Sequence, residues 1–358
     1  MKIGVLGAGQ LGRMLALAGY NLDLDFVLLD PAADACAAPL GEHLHADYAD
    51  QAALARLCDA VDVVTYEFEN VPAASAEFVA RRKPLFPGTR ALTVSQDRLS
   101  EKKLFTRLKI AVPPYAPVST RAELDAALKK IGLPSVLKTR CLGYDGKGQA
   151  VLRTVADVDA AWERLGRQPL LLEAFVPFQR EISCIGARGR DGQVAFYPVA
   201  QNVHRDGILR TSIPRKRDPL QRAAEKATRA VMEELGYVGV LAFEFFVASG
   251  KLLGNEIAPR VHNSGHWTID GAQCSQFENH LRAVAGLPLG STALRGHAAM
   301  VNFIGEMPDL AKLAKLEGLH VHLYGKTPKP GRKIGHANLT ADSAAGLKAR
   351  LKRLESLL

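Results

Sequence analysis

The sequence predicts a chain of α/β and α+β class, with a parallel-sheet domain first, a small middle unit next and a larger domain around an antiparallel hairpin last. Three observations predict it. Lys2–Leu6 is an apolar run without a turn residue, and Gly7-Ala-Gly-Gln-Leu-Gly12 follows it. Ser135-Val-Leu-Lys-Thr139 and Gln149-Ala-Val-Leu152 flank a glycine-rich loop, Leu142-Gly-Tyr-Asp-Gly-Lys-Gly148. Val240–Val247 is β-branched and aromatic with Glu244 inside it, and Ser249-Gly250 turns the chain back towards Asn255-Glu256. At 358 residues there is room for two or three domains and ample core.

The first run reads as a buried parallel strand, with a helix opening at Arg13 and a second strand over Phe26–Leu29 that ends at Asp30. This is the G-x-G-x-x-G layout, in which glycines allow a tight turn and backbone N–H groups favour a phosphate at a helix start. The motif alone does not say which phosphate, and Gln10 adds a hydrogen-bonding group to the loop. A further helix, Asp50–Leu57, leads to the strand Val61–Thr65. That strand ends in Tyr66-Glu-Phe-Glu-Asn70, which puts Glu67 and Glu69 at the crevice of an open sheet with one of them pointing inward. The plainer alternative is an acidic helix start before Val71-Pro72.

Pro84, Pro87 and Gly88 close this Rossmann-like domain, which is set at residues 1–95. A linker and lid unit takes 96–180, and the last domain takes 181–358. Asp97–Phe105 reads as a short helix with an acidic start, and Pro113–Pro117 as a linker or edge segment. Arg121–Ile131 is an amphipathic helix with Leu124, Ala127, Leu128 and Ile131 on one face. A strand, a glycine loop and a returning strand make a flap over phosphates, unlike the strand-to-helix layout of a P-loop. Lys138 on one flank and Lys147 at the tip support that role, because lysine serves phosphate as a point charge. Leu170–Val176 leaves the unit as a strand with Glu173 near its end, where a sheet edge could offer backbone groups to a base. Asp218–Leu235 is one long helix with Ala223, Ala227, Val231 and Leu235 in step.

Glu244 and Glu256 then meet across the hairpin. Facing carboxylates repel unless a cation lies between them, and Mg²⁺ suits oxygen ligands shared with a nucleotide's phosphates. Asn255 adds a neutral oxygen. The alternative is one glutamate paired with a base and the other solvated. Arg260, His262 and Asn263 follow in a loop interrupted by Pro259 and Gly265, which suits an anion-binding corner. Lys326–Gly335 is a basic turn, which taken by itself reads as a solvated loop.

Bulk properties bound the function. The net charge is +9, but basic residues are spread among acids without interleaved aromatics, so anionic small substrates are expected and nucleic acid is not. No apolar run is long enough for a membrane span. The N-terminus is too glycine-rich, and too soon cut by Arg13, for a signal peptide. Cys36, Cys58, Cys141, Cys184 and Cys274 form no close pair and no metal spacing, which points to reduced thiols and a cytoplasmic setting.

In its order of parts the chain resembles the ATP-grasp superfamily. Two stretches narrow it, Leu137-Lys-Thr-Arg-Cys-Leu-Gly-Tyr-Asp-Gly-Lys-Gly-Gln149 and Asn255-Glu-Ile-Ala-Pro-Arg-Val-His-Asn-Ser-Gly-His-Trp267. Both are similar to the N5-carboxyaminoimidazole ribonucleotide synthetase family. Gly9–Met14, Asn202–Thr211 and Pro330–His336 extend the resemblance through nearly the whole chain, and Leu142 departs from it where the family usually carries glycine.

The resemblance implies an ATP-grasp fold with a pre-ATP-grasp domain, a small mobile lid and a C-terminal α+β domain. It implies ATP- and bicarbonate-dependent carboxylation of 5-aminoimidazole ribonucleotide through carboxyphosphate, in purine biosynthesis, by a cytoplasmic homodimer. ATP binding falls to Arg98, Lys138, Leu142, Gly143, Tyr144, Asp145, Gly146, Lys147, Gly148, Glu173, Ala174, Phe175, Val176, Glu181, His204, Asn255 and Glu256. Glu244 and Glu256 hold one or two Mg²⁺ ions. Gln10, Leu11, Glu69, Tyr144, Asp145, Arg260, Arg332 and Lys333 line the ribonucleotide side, with Glu67 a weaker candidate. Lys138, Arg260 and Asp145 are the catalytic candidates. A nicotinamide-dependent dehydrogenase would use only the N-terminal glycines, so no NAD is expected. A formate-dependent glycinamide ribonucleotide transformylase is the alternative within the superfamily, and the basic loop after Glu256 argues against it.

Overall fold

The computed structural model describes residues 1–143 and 146–358. Among these residues the strands form three sheets. The first holds β1 (Lys2–Leu6), β2 (Asp25–Asp30), β3 (Glu42–His45) and β4 (Val63–Tyr66), all parallel in the order β3-β2-β1-β4. Parallel strands are buried on both faces, which is why β1 and β2 read as unbroken apolar runs. Ile3, Val5 and Leu28 pack towards the helix Gln10–Tyr20, and Leu6, Val27 and Leu29 towards the helix Gln51–Ala60. No pattern in the sequence marks β3, whose residues Glu-His-Leu-His lack an apolar run.

The second sheet holds β5 (Tyr115–Val118), β6 (Ser135–Thr139), β7 (Gln149–Leu152) and β8 (Leu170–Ala174), in the order β5-β8-β6-β7. Pro117 is tolerated because β5 is an edge strand. The small sheet covers its own core, in which Leu124, Leu137 and Leu172 are fully buried.

The third sheet is the largest. It contains β9 (Arg180–Arg188), β10 (Val194–Phe196), β11 (Ala200–Arg205), β12 (Ile208–Pro214), β13 (Gly239–Ala248), β14 (Lys251–Ala258), β15 (His297–Ile304), β16 (Leu319–Leu323) and β17 (Lys333–Ala341). The order is β14-β13-β9-β11-β12-β15-β17-β16, with β10 on β9. Among the described residues only two pairs, Thr211 with Val301 and Ser212 with Met300, join its two halves. Among the described residues, too, no helix is long and apolar enough to cross a membrane.

Four expectations change. The first helix begins at Gln10 rather than Arg13, so Gln10 and Leu11 sit in its first turn. The long helix spans Gln221–Glu234 and buries Ala224, Thr228, Val231 and Met232, while Ala223 is exposed; alanines at a fixed step are poor markers of a buried face. The basic turn ends early, because β17 starts at Lys333. Finally, β8 is no edge: β5 and β6 pair with it on either side, so the backbone of Glu173 is engaged within the sheet.

Candidate active site

The glycine loop serves a carboxylate of the chain itself. Gly9 N–H donates to Glu67 Oε1, and Gly12 N–H to Glu67 Oε2 at 2.6 Å. Burial pushes the Glu67 carboxyl up, and these two donors pull it back. A Cβ on Gly9 would stand 2.5 Å from Glu67 Oε1, and one on Gly7, at φ +110°, would strike Glu67 Cγ. The glycines are therefore required by Glu67, which takes amides that such a loop can otherwise offer to a phosphate. Gly9→Ala is expected to cost about 1–3 kcal/mol of stability through that clash and the loss of a buried hydrogen bond. A denaturation midpoint unmoved by the change would mean that the loop does not depend on Glu67.

Glu69 faces the other way. Arg260 donates through Nε to Glu69 Oε2 and through Nη2 to Oε1 at 2.9 Å, a bidentate pair between the first domain and the loop after β14. Burial works against the charge on Glu69, but Arg260 holds its carboxyl down at about 2. His262, pushed down to about 3 by burial and by Arg260, is neutral beside them.

The hairpin turns where expected, and the two glutamates meet across it through a bulge. Ser249 and Gly250 both have positive φ, the turn that keeps two twisted strands paired. Glu244 and Glu256 are direct cross-strand partners. The register then slips by one residue, leaving Asn255 as the extra residue of a β-bulge. A bulge re-aims its side chain, and here Asn255 and Glu256, adjacent in the chain, line the same cavity. Burial, then Glu256, pushes the Glu244 carboxyl up to about 7. Burial acts on Glu256 in the same sense, but Arg98 Nη1, 2.8 Å from Glu256 Oε2, brings its carboxyl below the usual value. The Asn255 Oδ1 atom is buried and has no hydrogen-bond partner among the described residues. Two carboxylates and an unsatisfied amide oxygen form a hard-oxygen set that fits a divalent cation. Among the described residues no group of three His, Cys, Asp or Glu side chains could enclose a metal. A cation at this wall therefore takes its remaining ligands from water or from a bound anion.

Two cavities share that wall. The larger, about 410 Å³, lies between the first domain and the hairpin and is lined by Gln10, Leu11, Glu69, Arg260 and Tyr324, among others. The smaller, about 200 Å³, lies under the lid and is lined by Lys138, Gly146, Glu181, His204, Phe246 and Asn255, among others. Arg98, Glu244, Glu256, His262, Asn263 and Lys333 line both. Lys138 Nζ is 2.7 Å from Glu173 Oε2. His204 Nδ1 is 2.9 Å from Glu181 Oε2; burial opposes the imidazolium, but Glu181 raises its pKa.

Family models match the chain in three stretches: a ribonucleotide synthetase preATP-grasp domain over residues 1–96, an ATP-grasp domain over 103–277, and a phosphoribosylaminoimidazole carboxylase C-terminal domain over 298–350. The N5-carboxyaminoimidazole ribonucleotide synthase of Pseudomonas aeruginosa is 56% identical over 358 residues, covering 100% of this chain and 99% of that protein. The chain belongs to the N5-carboxyaminoimidazole ribonucleotide synthase family. The synthetase from Thermus thermophilus superposes with a TM-score of 0.95 at 53% identity, covering 99% of this chain and 98% of that one. The N5-carboxyaminoimidazole synthase of Aspergillus clavatus, solved in complex with ADP and 5-aminoimidazole ribonucleotide, gives 0.92 at 30% identity and covers 99% of this chain and 98% of that one.

The other candidate residues divide between the lid, the buried small sheet and the surface. Tyr144 and Asp145 lie outside the described residues. Leu142 has φ +60°, the left-handed conformation that glycine adopts freely, so the family's usual glycine matches the backbone found here. Gly143 O accepts from Arg98 Nη2 at 3.3 Å, and Gly148 O accepts from Thr139 N–H at 2.7 Å. Lys147 lies between the lid glycines, in the turn leading to β7. Glu173 is buried against Lys138, and Ala174, Phe175 and Val176 run from the small sheet to the large one; none of the four lines either cavity. Arg332 is exposed and donates to Thr327 O at 3.2 Å; it lines neither cavity.

Sequence reasoning missed Glu101, Lys102 and Lys326. Lys326 Nζ donates to Gln10 Oε1. Arg98, Glu101 and Lys102 stand at i, i+3 and i+4 on the helix Arg98–Arg107, and all three reach β14. Charged residues at that spacing usually mark a solvated face. The available signal was Phe105 at i+7, which stacks on Phe243 at 4.7 Å and turns the face inward.

Proposed function

We infer that this chain carboxylates 5-aminoimidazole ribonucleotide with ATP and bicarbonate, giving N5-carboxyaminoimidazole ribonucleotide, a carbon–nitrogen ligation in purine biosynthesis. The observation that carries the reading is the pair of cavities sharing the Glu244–Glu256 wall. ATP belongs in the smaller cavity and the ribonucleotide in the larger, so the terminal phosphate and the acceptor amine meet at that wall. Glu244, Glu256 and Asn255 would hold Mg²⁺, which when bound supplies charge neutralisation at the phosphates.

In the first step a bicarbonate oxygen attacks the γ-phosphorus, the bond to the β-phosphate oxygen breaks, and ADP leaves carboxyphosphate behind. In the second, the exocyclic amine attacks the activated carboxyl carbon, or the carbon dioxide released from it, and phosphate departs. Phosphoryl transfer of this kind needs positioning and positive charge more than covalent help. Lys138 and Arg98 present cations to the nucleotide side, and Arg260, fixed by Glu69, presents one to the acceptor side. The lid strands β6 and β7, with Leu142, Gly143 and Gly146 at their turn, would keep bulk water from the labile intermediate.

ADP and phosphate are expected only when ATP, Mg²⁺ and the ribonucleotide are all present, with bicarbonate required for the carboxylated product. Hydride transfer to NAD without ATP turnover would sink the reading. A cytoplasmic homodimer is part of the proposal, supported by free cysteines and by family resemblance; sedimentation would show a monomer if the dimer is wrong.

A further inference from the structure

We propose that Lys102 is a positioning residue that ties Lys138, on the small sheet, to the bulged carboxylate hairpin of the large sheet. The proposal rests on the assignment of the nucleotide to the smaller cavity. Lys102 is 1% exposed and lines neither cavity. Its ammonium donates to Gly254 O at 3.2 Å and to Asn255 O at 2.9 Å, and it stands 3.2 Å from Glu173 Oε1. Two of its protons go to the carbonyls, and the contact with Glu173 Oε1 is an ion pair without a hydrogen bond. Because Lys102 lines neither cavity, any effect on the reaction passes through the groups it holds.

Those groups sit on two different sheets. The carbonyls of Gly254 and Asn255 are at the bulge that aims Asn255 and Glu256 into one cavity. The other oxygen of Glu173 takes Lys138 Nζ. One carboxylate is therefore shared between two lysines, and Lys138 keeps positive charge to spend on a phosphate. Without Lys102, the full charge of Glu173 falls on Lys138, and the two carbonyls of the bulge lose their donor. Both effects weaken the grip on nucleotide and cation. Neither reaches the Glu69–Arg260 corner of the larger cavity. A buried ion pair that merely stabilises the fold would instead depress both substrates together.

The test uses Lys102→Met and Lys102→Gln in the full chain. Binding of ATP with Mg²⁺ is measured by calorimetry without ribonucleotide, beside both Michaelis constants and thermal unfolding. In whichever variant folds, the dissociation constant for Mg²⁺-ATP and the KM for ATP are expected to rise roughly tenfold or more, with the KM for ribonucleotide within about twofold. Unchanged Mg²⁺-ATP affinity, an equal rise in both Michaelis constants, or failure of both variants to fold overturns the proposal. The underlying functional reading is tested separately on the wild-type protein: ATP turnover independent of ribonucleotide would sink that reading and leave the calorimetric comparison intact.

Discussion

Glu256→Gln is expected to lower kcat by about a hundredfold or more, with the fold intact. On the proposed assignment the substitution removes one of two anionic oxygens that would hold Mg²⁺ where phosphoryl charge develops, a loss of several kcal/mol at catalytic cation sites. It also strips Arg98 of its carboxylate partner at 2.8 Å, leaving a guanidinium between the two cavities with the Gly143 carbonyl as its remaining bond among the described residues. Glu244→Gln is expected to act in the same direction through the facing strand. Far-UV circular dichroism and thermal unfolding separate the chemical effect from misfolding. Near-normal turnover by a folded Glu256→Gln at ordinary Mg²⁺ would reduce Glu256 to a structural partner of Arg98.

Lys333→Ala is expected to raise the KM for ribonucleotide ten- to a hundredfold, from the loss of about 1.5–3 kcal/mol in a charged hydrogen bond to its phosphate. Arg332→Ala is expected to change little, because Arg332 lines neither cavity while Lys333 lines both. In the sequence Arg332 is the stronger candidate, since arginine can hold phosphate bidentately while Lys333 adds a point charge. The start of β17 distinguishes them, since neighbours in an extended chain project to opposite sides. Both Michaelis constants measured on each variant settle the assignment. A rise confined to ATP in Lys333→Ala would move that cation to the nucleotide side, and a large effect of Arg332→Ala would contradict the geometry.

What could be read from the sequence follows from how local each signal is. The hairpin was legible because Ser249-Gly250 fixes its own turn, but that turn alone would set Glu244 opposite Asn255; the bulge is what brings Glu256 to face Glu244. The bulge at Asn255 was not, since a one-residue slip leaves no mark in composition. The inward direction of one acid after β4 was legible from the alternation of Glu67 and Glu69. Their partners were not, because Gly9 and Arg260 reach them from 58 and 191 residues away. Glu101 and Lys102 were hidden for a different reason: a charged helix face is buried here by a hairpin that supplies its own carbonyls and amides as partners.

The acid seated in the glycine loop also limits where charge can travel in this molecule. A helix start with free amides is a harbour for any passing anion. Glu67 takes the amides of Gly9 and Gly12, so those two donors are not offered to a phosphate. The first domain contributes instead the walls Gln10, Leu11 and Glu69 to a cavity completed by the last domain.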